Sequence, residues 1–381
     1  MNIPEPILID PLASDLPRLL SALGRTSGIY VFASADRMAH LSSSTNLARR
    51  LRRLLCAPQG GPTVLASRLH GNGTAVRCWI TGSRLESLLL LYELARVHFA
   101  DDYLLRLRLR IPWFIALVDT DRFARLTVTN RLGKGAESAI GPFPSREAAQ
   151  RYEEELLTSF SIRRCLEELS PAPEHPGCIY GEINLCSRPC QGAVSESEYR
   201  READGVKDFL LAHGRSTIHS LSLARDQAAA DTDFEMAAQI HKRIEKLKTA
   251  AKGRDTVITE VENFNGVAVT KGLGENQVRL WPMLAGFWQT PVTFETAGND
   301  SAAPPWDSHL RDLLAPVFLH PIQEGRQEEN LAVFARWYYS SWRDGDWIAL
   351  THVDGSAYRK LVRSISKLVK AGAKSEPAIS C

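Results

Sequence analysis

The pattern of apolar and polar positions reads as an alternation of short strands and amphipathic helices, with no internal repeat. Residues 27–32 (SGIYVF) form an apolar run of strand length, which predicts a buried strand. A turn at 33–37 and a weaker strand over 38–41 follow. Over 45–55 (TNLARRLRRLL), Leu47, Leu51 and Leu54 recur at helical spacing while Arg49, Arg50, Arg52 and Arg53 populate the other faces. A glycine- and proline-rich loop over 57–63 separates this helix from a strand over 76–81. A second helix over 83–98 turns Leu85, Leu88, Leu89 and Tyr92 inward. These elements make a β-β-α-β-α unit ending near Tyr103.

Beyond it, residues 105–111 (LRLRLRI) alternate strictly, which predicts a strand with Arg106, Arg108 and Arg110 on one face. Strand-like segments fill 113–130, a turn is predicted at 141–145 (GPFPS), and 146–160 reads as helix. Pro171, Pro173, Pro176 and Pro189 then make regular structure improbable. From Glu196 to about Ala251 the chain is helical again, broken at Gly214 and at 231–233. Asp233 is a good N-cap, and Met236, Ile240, Ile244 and Leu247 form one stripe, so this is an αα-hairpin. After Arg254 come a small meander, helices near 307–314 and over 327–342, a strand over 346–352 and a basic helix over 356–371. Six of the eight tryptophans lie between 281 and 347, enough aromatic area for a core there.

Composition bounds this picture. Lys+Arg 46 against Asp+Glu 44 leaves a net charge of +2, and 44% hydrophobic with 24% charged residues is ordinary for a folded chain. The purest apolar stretch, Leu88 to Leu91, lies between Glu86 and Glu93, far short of the roughly 18 residues that span a bilayer. The N-terminus has no basic segment of a secretory signal, and Cys381 is the last residue rather than fourth from the end. The expectation is a soluble cytoplasmic protein with no membrane partner. Cysteines change the picture more: Cys165, Cys178, Cys186 and Cys190 fall within 26 residues with the spacing C-x12-C-x7-C-x3-C, while Cys56, Cys78 and Cys381 are scattered. An odd total without a secretion signal argues for metal binding over disulfides. The spacing alone permits tetrahedral zinc or a [4Fe–4S] cluster.

Gly28-Ile29-Tyr30, followed sixteen residues later by Asn46-Leu47-Ala48-Arg49-Arg50-Leu51, resembles the GIY-YIG nuclease module found at the N-terminus of UvrC, the incision subunit of bacterial nucleotide excision repair. The resemblance implies a tyrosine, Tyr30, that helps activate water and an arginine, Arg50, for the scissile phosphate. It implies a glutamate for a magnesium or manganese ion, but the pattern over 86–94 places Leu91 there, and a leucine cannot hold a hard cation. The second tyrosine motif falls at His40-Leu41-Ser42, making His40 a candidate base in place of the tyrosine. Tyr103-Leu104-Leu105-Arg106 with Ile111-Pro112-Trp113-Phe114, and Gly141-Pro142-Phe143, are similar to later UvrC segments. Arg49, Arg52, Arg53, Arg106, Arg108 and Arg110 are the candidate DNA contacts.

The same resemblance, through Cys178-Ile179-Tyr180-Gly181 and Cys186-Ser187-Arg188-Pro189-Cys190, favours the [4Fe–4S] cluster, with zinc as the alternative. Asp233-Phe234-Glu235-Met236-Ala237-Ala238 resembles the UVR motif, which implies docking of a UvrB-like partner through Phe234, Glu235 and Ala238. Residues 258–381 resemble UvrC only through 334–339, and the second nuclease and the helix-hairpin-helix repeats are absent, which implies a short form. Asp344, Asp346 and Asp354 read as solvated turn carboxylates. The expected architecture is α+β and multidomain: a GIY-YIG-like domain (18–103), a linker with the cysteines (104–195), a helical region with the UVR hairpin (196–252) and a C-terminal α/β domain (258–381). The implied function is repair of damaged DNA by incision, or, alternatively, a catalytically inactive adaptor that binds UvrB or another partner.

Overall fold

The computed structural model describes residues 3–34, 37–56, 63–71, 75–119, 122–133, 139–296, 305–323, 325–350 and 355–373. Part of the turn predicted at 33–37, most of the loop over 57–63, the end of the strand over 346–352, Asp354 and Cys381 lie outside the described residues. The chain is mixed α+β and divides into two compact units, one made of Met1–Arg110 with Asn265–Cys381, the other of Ile111–Phe264.

The first unit is discontinuous in sequence. Its N-terminal part runs β1 (Ile7–Ile9), α1 (Leu16–Ala22), β2 (Ser27–Ser34), β3 (Arg37–Ser44), α2 (Leu47–Leu55), α3 (Val64–Gly71), β4 (Ala75–Thr81), α4 (Arg84–His98) and α5 (Tyr103–Leu107). The strands form an antiparallel sheet in the order β1-β4-β2-β3. Because side chains alternate along β2, Tyr30 and Phe32 face Leu47, Leu51 and Leu55 of α2 and Leu16 and Leu20 of α1. Ile29 and Val31 face the other way, onto Leu90, Leu91 and Leu94 of α4. Leu55, one position past the Leu54 that spacing suggests, completes the inward face of α2.

In the second unit, β5 (Trp113–Val118), β6 (Arg125–Thr129), β7 (Ala139–Phe143) and β8 (Thr259–Glu260) form a sheet in the order β6-β5-β7-β8 beside α6 (Arg146–Leu157). The cysteine segment carries only α7 (Ile179–Glu182) and a single 3-10 turn, and three helices follow: α8 (Glu196–Leu211), α9 (Arg215–Ala230) and α10 (Phe234–Gly253). The chain then returns to the first unit through β9 (Gly266–Lys271), β10 (Gln277–Leu284), β11 (Phe287–Trp288), β12 (Val292–Glu295), α11 (Trp306–Leu319), α12 (Gln327–Tyr338), β13 (Gly345–Ala349) and α13 (Gly355–Ala373). The second sheet of that unit has the order β11-β10-β9-β13, with β12 paired to β10. Val267, Val269, Leu280, Leu310, Leu361 and Ile365 are among the residues of its core.

Three sequence expectations are corrected. The strand predicted over 105–111 is instead α5 followed by Arg108 in the left-handed region (φ 50), so Arg106, Arg108 and Arg110 share no strand face. Tertiary anchors override the alternation: Leu107 and Leu109 are buried while Leu105 is 81% exposed, and Arg106 bonds Asp102 one turn back at 2.7 Å. The turn predicted at 141–145 is strand β7 to residue 143, because Gly141 lets it pass Phe114, whose ring a Cβ would meet at 2.5 Å. Asp344 is no solvated turn carboxylate either: it accepts from the Arg84 backbone N–H at the start of α4 and from the Trp337 indole at 3.0 Å. Asp346 accepts from the Ser364 hydroxyl at 3.0 Å.

Candidate functional site

The sheet and α2 bring three of the predicted residues together. Tyr30 is 0% exposed on the central strand β2, and its hydroxyl accepts a hydrogen bond from Arg50 Nε at 3.0 Å. The glycine two positions earlier is a packing requirement. A Cβ on Gly28 would sit 2.1 Å from the Trp79 carbonyl and 2.5 Å from Leu47, so only glycine lets β2 run this close to the start of α2. That start is fixed by Asn46, whose side chain caps the Arg49 N–H at 2.9 Å. His40 pairs across from Phe32 in the β2–β3 register, stacks on its ring at 5.8 Å and lies 5.9 Å from the Tyr30 ring. His40 is surface-exposed; partial burial of its ring, helped by the Arg50 charge, lowers its pKa and so favours the neutral imidazole, the form able to accept a proton.

Arg49, Arg52 and Arg53 are exposed and, with Arg25, line an open groove between α1 and α2. Arg52 donates to the Ser21 hydroxyl at 2.8 Å. Leu91 lies on the opposite face of the sheet from Tyr30, packed with Ile29, Val31 and Trp79, so an apolar side chain satisfies its surroundings. The two carboxylates of α4 nearest it in sequence are engaged elsewhere. Glu86 accepts from the Gly82 N–H at 2.7 Å and has a raised pKa, chiefly from burial; Glu93 pairs with Arg96 at 3.0 Å.

In the second unit the four clustered cysteines come into one another's electrostatic reach. Cys186 and Cys190 are buried, Cys165 is half-buried and Cys178 exposed. Burial pushes the Cys186 thiol up most, the Arg188 backbone N–H opposes it, and Cys178, Cys165 and Cys190 push it further. Burial likewise raises Cys190, followed by Cys165 and Cys178. The loop that carries them is held by Arg163, 1% exposed, which donates to the carbonyls of Phe123 (2.8 Å) and Glu167 (2.5 Å) while its N–H bonds the Tyr199 hydroxyl at 2.8 Å. Among the described residues no group of three or more histidines, cysteines, aspartates and glutamates is arranged to hold a metal ion, at the cysteines or beside Tyr30.

The hairpin of α9 and α10 is half unpartnered. Ile244, Leu247 and Ala250 are buried at its base, whereas Phe234 (69% exposed), Met236 and Leu223 are exposed toward its tip. Glu235 and Ala238 are exposed too. Asp233 caps the Met236 N–H at 3.0 Å, as its sequence position predicts.

One cluster gave no signal in sequence. Glu329, 2% exposed at the start of α12, accepts from the Tyr92 hydroxyl at 2.8 Å and the Tyr103 hydroxyl at 2.7 Å. An acidic residue in a first helical turn reads as an ordinary partner of the helix dipole, and nothing local announces that it is buried.

Comparison with known proteins places these features. Residues 113–209 match the family model of the UvrC/Cho excinuclease middle domain. UvrABC system protein C of Alcanivorax borkumensis is 26% identical over 68% of this chain and 44% of its own length. Its counterpart in Kocuria rhizophila is 25% identical over 74% of this chain and 40% of its own, and that of Pseudomonas fluorescens 28% identical over 61% and 38%. The chain thus spans well under half of the relatives it matches. No solved structure matches it significantly. The middle-domain match contains all four clustered cysteines, and over about two thirds of its length the chain is similar to UvrABC system protein C.

Proposed function

We propose that the chain is a nucleotide excision repair protein whose N-terminal unit is a GIY-YIG-type domain that incises, or helps to incise, damaged DNA. The observation that carries this reading is the Tyr30–Arg50 hydrogen bond with the His40 ring 5.9 Å from the Tyr30 ring. Arg50 would hold a phosphate next to a group able to take a proton from water, and the groove of Arg49, Arg52 and Arg53 would lead the backbone to it. Arg106, Arg108 and Arg110 belong to the same reading as further phosphate contacts, though not as a stripe. The residues present do not fit magnesium or manganese, because Leu91 stands where a carboxylate would be required. No step is therefore assigned to either ion.

The four cysteines would supply thiolate donors, chemistry that suits a [4Fe–4S] cluster with zinc as the alternative, once their side chains were drawn together from the arrangement described above. Cys165, Cys178, Cys186 and Cys190 would hold it, and it would supply structural cross-linking to a segment too irregular to form a core of its own.

A second reading, a non-catalytic adaptor, is favoured by Leu91 and by the exposed tip of the α9–α10 hairpin. Here Phe234, Glu235 and Ala238 would dock a UvrB-like partner as a UVR hairpin. The deciding experiment is an incision assay on damaged duplex with cognate UvrA and UvrB and divalent metal. Cutting that Arg50→Ala abolishes supports the nuclease. Partner binding without cutting supports the adaptor.

A further inference from the structure

The basic helix α13 lies apart in sequence from Tyr30, Arg50 and the cysteine loop. Its 19 residues (GSAYRKLVRSISKLVKAGA) include no acidic side chain. At about 100° per residue, Arg359, Lys370, Arg363, Lys367 and Lys360 fall within an arc of roughly 100°, and the five charges span about 16 Å of helix axis. The opposite face is occupied: Ala357, Tyr358, Leu361 and Ile365 are buried in the core of the second sheet of the first unit. Lys360, Arg363, Lys367 and Lys370 are exposed, and Asp346 lies 3.6 Å from Lys367, itself 76% exposed.

We infer that this stripe is a second nucleic-acid contact, binding the phosphate backbone of duplex DNA without sequence preference. Five cations separated by four gaps over about 16 Å average one per roughly 4 Å, on the scale of the roughly 3.4 Å per phosphate along one strand of a duplex. A membrane surface is the other polyanion a basic amphipathic helix meets, but that use needs an apolar face free to insert, and here that face is in the protein core. The inference extends the DNA-binding reading but does not depend on Tyr30, Arg50 or the groove at α2.

The test measures binding of the full chain to a fluorescent 20-base-pair duplex of arbitrary sequence across a salt series. The triple variant Lys360→Ala, Arg363→Ala, Lys370→Ala should bind at least tenfold more weakly at moderate salt. Its slope of log affinity against log salt should be shallower by about 2–3, near one per lost phosphate contact. Lys360→Arg with Lys370→Arg should keep both values. Lys242→Ala, Lys246→Ala, Lys252→Ala removes the same charge from α10 and should change affinity less than threefold. An unchanged slope in the α13 variant, an equal loss in the α10 control, or loss of binding to anionic vesicles with duplex binding intact would overturn the inference. So would a wild-type chain that does not bind duplex. Arg49→Ala, Arg52→Ala, Arg53→Ala reports separately on the groove, so failure of either contact is distinguishable from failure of the other.

Discussion

The Tyr30–Arg50 site and the cysteine loop position their chemistry in opposite ways. At the first, sheet register, a capped helix and a close-packed glycine fix each side chain, and the polar groups satisfy one another. At the second, the donors sit on chain with almost no ladder, shaped by single residues in the left-handed region (Gly177, Asn184, Arg188, Gly192) and by the buried Arg163. The first arrangement holds together without a ligand. The second brings four thiols within reach of one another, and burial disfavours the ionised forms of Cys186 and Cys190, so a cation bound among them would favour their joint deprotonation. One site is preorganised by the fold, whereas under the proposed function the other would depend on its ligand.

The largest test of that contrast is Cys186→Ser with Cys190→Ser. Iron, sulfide and zinc analysis of anaerobically prepared protein should show metal lost entirely, and the second unit should lose stability on the order of 10 kcal/mol, the scale of structural metal binding. The first unit should keep its melting transition. Next, Arg50→Ala should lower any incision about 100-fold or more by removing the phosphate charge, leave metal content unchanged, and cost the first unit about 1–2 kcal/mol because the buried Tyr30 hydroxyl loses its partner. Glu329→Gln should destabilise the first unit by about 2 kcal/mol, since it weakens two hydrogen bonds to a buried carboxylate, and should not alter metal content. Denaturant titration with metal analysis on the same samples checks both parts.

The smallest effect concerns acid. Burial, then the charges of Arg254 and Arg215, lowers the His213 pKa to about 4 in the folded second unit. The fold therefore prefers the neutral imidazole, and its contribution is present above the unfolded value near 6.5 and is lost as pH falls toward 4. His213 has φ 52, so His213→Asn tolerates the backbone and should flatten the loss of stability between pH 6.5 and 4. A steep acid transition that persists in this variant would point to the cysteine loop instead.

Much of this was legible in sequence where local rules dominate. Asp233 capping its helix, the break at Gly214 and, but for Leu55 in place of Leu54, the apolar inner face of α2 follow from propensity and periodicity alone. The meeting of Tyr30 with Arg50 depends on β2 lying beneath α2, which the family resemblance implied and spacing alone did not. The segment over 105–111 misled because its alternation is strand-like, while burial of Leu107 and Leu109 and the Arg106–Asp102 pair select a helix and a left-handed turn. Glu329 and Asp344 were illegible for a different reason. Their partners, Tyr92 and Tyr103 for one and the Arg84 N–H for the other, lie more than 200 residues away, beyond any local pattern.

That separation bears on how the chain is made. Tyr92 leaves the ribosome 237 residues before Glu329, which at about 5–20 residues per second is on the order of 10–50 s. During that interval the whole second unit emerges and is free to fold, while α4 and α5 wait with two tyrosine hydroxyls and part of their apolar surface uncovered. Nascent chains paused between residues 265 and 328 are the species in which the first unit is most open to chaperones and proteases.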